Sequence, residues 1–562
     1  MTSVERLLQR LNDVVKGHLS PCVTNDHDQS HDHDQRRSAS VVQFQRTSIP
    51  QASETSAIGL EEPQDEDATT NGMAMTFAEE HTSAYFGESS NIHFTQLLLR
   101  AIAAVHRATP ALPSMMDKDV TLEEKTTADF SQGQPNKGSA TPDPSLTALP
   151  STEEMDILLD VYFNTAGVVF PFIHEQTMRE TFLECKRNGF TRARRTWLGT
   201  LNMIFAMASS FDRDRVASAQ ERSAKSNVFY KRATGLCGEL SKRVISLEIV
   251  HYLLLVVIHC QGTQRSIQAW NNHGLVIRSA MALGLHSTSS GNSFDTVQVE
   301  YRRRTWVVIY CLDKVLSAAF GRPAGVPDEQ VVVREPTWGP PSTSLGTSHH
   351  DVDLPGEFLA VSFRLYQVMS RSLVKQYSAN VDHAAHDLDE MVPLKASGEL
   401  RKTLRLWAAS LPSYLQLCTP EMEILSENSQ VNRLRVILTL RYHNAGILVH
   451  KPLLSASMAQ MFLKESVLGP SSTYLMQLAM AEAHECIRSA EHTINIVYQI
   501  TTVDTSSKNN LGMGFYTLYY GQSHMARFIA SLQLADSISS VHSIAGSDCK
   551  PTVGTAWTRC AR

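Results

Sequence analysis

Residues 246–261, SLEIVHYLLLVVIHCQ, are apolar around nearly the whole circumference of a helix. A helix of that kind needs neighbours on every side, so it predicts a central element inside a large helical body. It is no bilayer span, because the run from Ile249 to Ile258 is interrupted by His251 and a spanning helix needs about 20 apolar residues. No other run is denser, and no membrane contact is expected.

The surrounding chain keeps the helical period. Helices are predicted at 197–211, 221–241, 246–261, 271–284 and 299–319, separated by polar or Gly/Pro punctuation. Ser151-Thr-Glu-Glu reads as a cap before Met155, Leu158, Leu159 and Tyr162, and Phe94, Leu97, Leu98 and Ile102 form an earlier apolar stripe. The fold class expected is therefore all-α, a multi-helix bundle in two packed helical blocks with disordered N-terminal linkers. The map runs as a short coiled-coil helix (1–20), an acidic, His-rich linker (21–75), a helical preface (76–108), a second linker (109–150), a first block (151–334), a Pro/Gly/Ser-rich loop (335–356), a second block (357–535) and a tail (536–562). Within 4–19, Val4, Leu8, Leu11 and Val15 alternate spacings of four and three, the seam of a short coiled coil that could pair two chains.

At 42% hydrophobic and 19% charged, the 562 residues carry enough apolar side chains for a sizeable core. The formal net charge of −6 supplies no basic field for phosphate, so contact with DNA must be local or borrowed. The nine cysteines include no CxxC pair, which argues against a disulfide framework or a zinc knuckle in this chain. The stretch Glu54 to Asp67 holds six acids and no base, and reads as a linker or an interaction tail.

Several side chains ask for a role. Arg302, Arg303 and Arg304 fan across more than half of their helix, so they suit pairing with acids on neighbouring helices better than one phosphate-facing stripe. Asp313 lies on the apolar stripe of Ile309, Leu312, Leu316 and Phe320, where a lone carboxylate is costly. The nearest partner in sequence is Arg322, in the turn that closes the helix. His174, His286 and His450 end apolar segments, and their spacing suits capping of helix ends better than metal binding. His27, His31 and His33 beside Cys22 read as solvated linker. Enzyme signatures fail: His174-Glu175 lacks the second histidine of HExxH, and Gly521-Gln522-Ser523 lacks the closing glycine of a nucleophile elbow.

Residues 151–334 also resemble the middle regulatory domain of fungal zinc-cluster transcription factors. The resemblance rests on Tyr162-Phe163, Phe170-Pro171-Phe172-Ile173-His174 and Phe229-Tyr230-Lys231-Arg232-Ala233. Trp270, Gly274, Arg278 and Ala280, ending on Leu283-Gly284-Leu285-His286, carry it further. The strongest block is Glu300-Tyr301-Arg302-Arg303-Arg304-Thr305-Trp306, then Tyr310, Leu312-Asp313, Ser317 and Gly321-Arg322-Pro323. Val307 departs from the family, where a second aromatic often follows the tryptophan, and Lys451 stands for a family arginine. Trp407, Leu411-Pro412, Leu440, Tyr442-His443, Leu448 and His450 extend the match to roughly residues 80–530.

The resemblance implies a nuclear regulator of RNA polymerase II transcription of a metabolic or secondary-metabolite gene set, with the transcription machinery as partner and no catalytic role. The family's six-cysteine zinc-cluster head has no counterpart in this sequence, and residues 4–19 resemble the coiled-coil linker that follows such a head. Zinc and DNA contact are therefore expected only through a missing or partner-supplied head. A shortened chain and a headless modulator that pairs with a complete relative both fit.

Overall fold

The computed structural model describes residues 85–108, 148–212, 218–263, 265–287, 294–328, 353–380, 391–419, 429–460 and 473–502. The proposed coiled coil at 4–19, the Cys22 and histidine tract, both linkers apart from the last residues of the second, most of the 335–356 loop, Gly521 to Ser523 and the tail lie outside them. Among the described residues all regular structure is helical. The helices are α1 (Asn91–Ala108), α2 (Thr152–Asn164), α3 (Ala166–Val169), α4 (Glu175–Arg187), α5 (Arg195–Phe211), α6 (Ala219–Cys237), α7 (Leu247–Gly262) and α8 (Ser266–Ala282). They continue with α9 (Thr296–Phe320), α10 (Leu354–Gln376), α11 (Met391–Ala409), α12 (Gln430–Met458) and α13 (Thr473–Thr502).

Local chemistry starts these helices where the sequence places small polar residues. Ser151, Ser246, Asp295, Asp353 and Ser429 each accept a bond from a backbone N–H in the first turn, satisfying a donor that the helix itself leaves open. The apolar helix at 246–261 is α7, buried almost throughout from Ile249 to Cys260 and packed against α5 and α8. α5 and α6 pack closely because Gly199 faces the Cys237 thiol, where a Cβ would collide.

The two blocks share one core. A continuous apolar cluster runs from Met155 in α2 to Ile496 in α13, with α10 lying against α9 on one side and α11 and α12 on the other. The Trp407 indole N–H, in α11, donates to the Val361 carbonyl of α10 at 3.0 Å.

Helix α12 corrects the expectation that His450 ends an apolar segment. It continues through Pro452 to Met458, placing His450 in its interior. A proline inside a helix removes its own N–H and crowds the carbonyl four residues back, here that of Leu448. The Tyr377 hydroxyl takes that orphaned carbonyl at 2.7 Å, and Gln376 and Ser397 converge on the next one, Val449 O, at 2.8 and 3.1 Å. The Tyr377 hydroxyl thus replaces the donor that proline removes, and Gln376 and Ser397 support the neighbouring carbonyl. His450 Nδ1 lies 2.7 Å from Glu482 Oε2, off the hydrogen-bonding direction, and Arg401 lies 3.0 Å from Oε1 of the same carboxylate.

Tyr377→Phe should therefore strand the buried Leu448 carbonyl and cost about 1–3 kcal/mol in urea unfolding. In a Pro452→Ala background the restored amide serves that carbonyl, and the same substitution should cost under about 0.5 kcal/mol. Equal losses in the two backgrounds would contradict this account of the proline.

Candidate functional site

The family-like residues converge on the C-terminal end of α9. Gly321 ends that helix in the left-handed region, φ +65°, with its N–H and that of Arg322 returning to Ser317 O at 2.9 and 3.2 Å. Pro323 then directs the chain away, and residues 324–328 curl back along the helix they have left. Two adjacent α9 side chains hold this return. The Asp313 carboxylate accepts the amides of Gly325 and Val326 at 2.9 and 3.0 Å, while the Lys314 ammonium donates to Val326 O and lies 3.2 Å from Asp328 Oδ1.

The expected Asp313–Arg322 pair does not form. Asp313 is buried, as its place on the apolar stripe implies, but its partners are two backbone amides, the His273 ring at 3.7 Å and Lys314 at 3.5 Å. Burial by itself would raise the Asp313 carboxyl; His273, Lys314 and the Gly325 amide outweigh it and hold the pKa below the usual carboxylate value. Arg322 follows a left-handed residue, so its side chain leaves the helix rather than folding back over it. Its guanidinium sits 4.9–5.4 Å from the ring centres of Phe320, Trp270 and Phe86, and its Nε donates to Tyr85 O at 3.0 Å. Burial lowers the Arg322 pKa.

Residues Tyr85 to Ser90 form a strap across this corner. Gly87 N–H donates to Gly321 O at 3.1 Å, and the two glycine backbones approach so closely that a Cβ on either would strike the other. Ser89 Oγ donates to Ala318 O at 3.2 Å. From the second block, the buried Lys451 ammonium donates to Ser89 O and, at 3.4 Å, to Ser90 O, while Asn380 donates to Arg322 O at 3.1 Å. The strap, the end of α9 and the second block therefore meet at one point.

The other family-like residues lie around this corner and toward the far end of α9. Trp270 packs on Phe320, whereas Gly274 and Arg278 face outward from α8, with nothing near the position a Gly274 Cβ would take. Gly284, φ +70°, closes α8, and the His286 ring packs on buried Trp306. The three successive arginines divide their attention: Arg302 donates to Leu283 O at 2.8 Å, Arg303 to Glu300 at 2.7 Å, and Arg304 to Glu300 and to Asp353 at the start of α10. The expected acidic partner on a neighbouring helix thus exists for Arg304, while Arg303 pairs within its own helix. His174 stands just before α4, 2.7 Å from Thr177 Oγ1 and against Tyr301, in a shallow cleft. Lys314, Asn380, Lys451 and the strap had no signal in sequence that joined them. Among the described residues, no three His, Cys, Asp or Glu side chains gather to hold a metal ion.

Residues 159–352 match the model of the fungal specific transcription factor domain. The chain is 63% identical over 529 residues to Transcription factor FBD3 of Gibberella moniliformis, covering 92% of this chain and 70% of that protein. It is 26% identical to the ABC-transporter-regulating transcription factor of Aspergillus fumigatus, covering 68% of this chain and 42% of that one. It is 24% identical to Sorbicillinoid biosynthetic cluster transcription factor 2 of Penicillium rubens, covering 70% and 57%. No solved structure matches the chain.

Two outcomes test the corner. Because the folded-state pKa of Asp313 is depressed, its stabilisation is complete above the unfolded value of about 3.9 and is lost as pH falls through the folded value. Asp313→Asn should lose about 3–5 kcal/mol at neutral pH and flatten the acid limb of the stability profile; an unchanged acid limb would contradict the assignment. Since Asp313 and Arg322 share no partner, the losses from Asp313→Asn and Arg322→Ala should add within about 0.5 kcal/mol in a double-mutant cycle, and a larger coupling would restore the direct pair.

Proposed function

Because this chain belongs to the fungal transcription factors that carry the fungal specific transcription factor domain, and is a fungal transcription regulator, we propose that its helical body is the signal-receiving part of a gene-specific nuclear factor. The observation that supports this reading most is the extended match to a protein named as a transcription factor, at 63% identity across 92% of the chain. The names of two other relatives, one regulating an ABC transporter and one a sorbicillinoid biosynthetic cluster, support a metabolic or secondary-metabolite gene set as target.

The body's task in this reading is to communicate between its two blocks and the N-terminal part of the chain. The strap supports that role, since any change in how α9 or α12 packs alters the anchors of Tyr85–Ser90. Contact with DNA is assigned to a zinc-cluster head, in the same chain or in a partner paired through residues 4–19, and the zinc to that head. We assign no catalytic step to the body and take the transcription machinery as its partner. Among the described residues no helix is long and apolar enough to cross a membrane.

Tethering the chain to a bacterial repressor's DNA-binding domain in a fungal host tests this. Transcription from a matching reporter should change, and Gly87→Ala, which forces the strap off Gly321, should alter that output at equal nuclear abundance. A tethered, nuclear, full-length protein that leaves the reporter unmoved would overturn the proposal. In gel shifts, the chain itself should show no salt-resistant sequence selectivity, and a fused zinc-cluster head should supply it.

A further inference from the structure

One end of the bundle departs from the chain's acidic balance. At the junction of the α4 C-terminus, the α5 N-terminus, the α6 C-terminus and the α7 N-terminus, residues 184–195 alone carry Lys186, Arg187, Arg192, Arg194 and Arg195 against Glu184. Two of these cations are neutralised, Lys186 by Asp156 at 2.8 Å and Arg194 by Glu248 at 2.5 Å. Arg195 donates to a carbonyl, Leu236 O at 3.1 Å, which leaves its charge in place. Arg187, Arg192 and Arg243 are exposed, and among the described residues no carboxylate lies within ion-pair distance of them. The bonds of Arg194 to Glu248 and of Arg195 to Leu236 O join the start of α5 to α7 and α6; Arg192 lies two residues before Arg194 in the chain and Arg243 four before the start of α7, with Arg187 at the end of the helix preceding α5.

An apolar pair accompanies the charge. Val244 and Ile245, between Arg243 and the start of α7, are 36% and 58% exposed. Adjacent apolar side chains beside unpaired guanidiniums suit a peptide that brings carboxylates and a short apolar element together. A nucleic-acid backbone would meet the arginines and leave Val244 and Ile245 in water.

The chain contains such a peptide. Residues 54–67, ETSAIGLEEPQDED, have six acids and no base, with Ile58 and Leu60 immediately before the main acidic run. The tether is long enough. Tyr85 is fixed at the C-terminal end of α9 by Arg322, and the start of α7 lies beside the N-terminal half of α9, where His251 meets Thr305 at 3.1 Å. The 25-residue α9 is about 37 Å long, whereas residues 68–84 can extend to about 55 Å. An intramolecular partner also has the advantage of a high effective concentration.

We propose that this basic end docks the chain's own acidic stretch, Glu54–Asp67, so that the body holds the acidic segment against itself until a competing ligand or partner releases it. Carbodiimide cross-linking of the full-length chain, read by mass spectrometry on a mixture of ¹⁴N- and ¹⁵N-labelled protein, tests it. The exposed Lys242, one residue before Arg243 and 2.9 Å from Glu239, should form amide bonds with acids of 61–67 within one chain, besides any local link to Glu239. High salt should suppress the cross-link, as should a variant carrying Arg187→Gln, Arg192→Gln and Arg243→Gln. All three arginines are exposed, so circular dichroism should show this variant folded. Neutralising Glu61, Glu62, Asp65, Glu66 and Asp67 to their amides should abolish the cross-link. No cross-link in the folded wild type, one that survives the arginine variant, or one found only between chains would overturn the proposal. Equal binding of a DNA duplex at this surface by the wild-type and acid-neutralised chains would overturn it in favour of a nucleic-acid face.

Discussion

The turn after α9 is held by two adjacent side chains of the helix it has just left. Asp313 takes its amides and Lys314 its carbonyl, so the donors and acceptors of a partly buried turn, with Val326 at its buried point, are satisfied from a helix already fixed in the core. Most of what is distinctive in the molecule depends on this closure. Beside it the left-handed Gly321 sets the direction in which Arg322 leaves, and Arg322 binds Tyr85 O and stacks among Phe86, Trp270 and Phe320. The strap is anchored there, and through Lys451 and Asn380 the second block is anchored to the strap. A buried lysine is costly in isolation; here Lys314 and Lys451 each bind main-chain carbonyls, and Asp313 and Asp328 lie beside Lys314 at 3.5 and 3.2 Å.

The helices and their order were legible because they depend on local pattern. The circumference of α7 could only be satisfied by complete burial, and Gly321 with Pro323 could only end α9. The need of Asp313 for a partner was legible from its place on an apolar stripe, but the partner was not. Backbone amides carry no residue-type signal, and the nearest hint was Gly325 between Pro323 and Pro327. Arg322 stood close in sequence and was the wrong choice, because a left-handed residue reverses the direction in which the next side chain projects.

Longer-range compensation was less legible still. Pro452 is plain in the sequence and reads as a helix end. What lets α12 continue is a hydroxyl on Tyr377, a residue on a different element, over the Leu448 carbonyl. The strap is similar, since Gly87 reads as a turn glycine, whereas its lack of a side chain is required by Gly321, far along the chain. Two family-like residues, Gly274 and Arg278, face outward on α8, and the described residues supply no intramolecular reason for them.

Together these contacts tie the N-terminal segment to both helical blocks at the end of α9, and native-state hydrogen exchange tests that claim most directly. The amides of Gly87, Gly325 and Val326 should exchange only with global unfolding, with the same denaturant dependence as core amides of α7. Fast, denaturant-independent exchange at these three positions, while α7 stays protected, would show that the corner opens on its own and couples nothing.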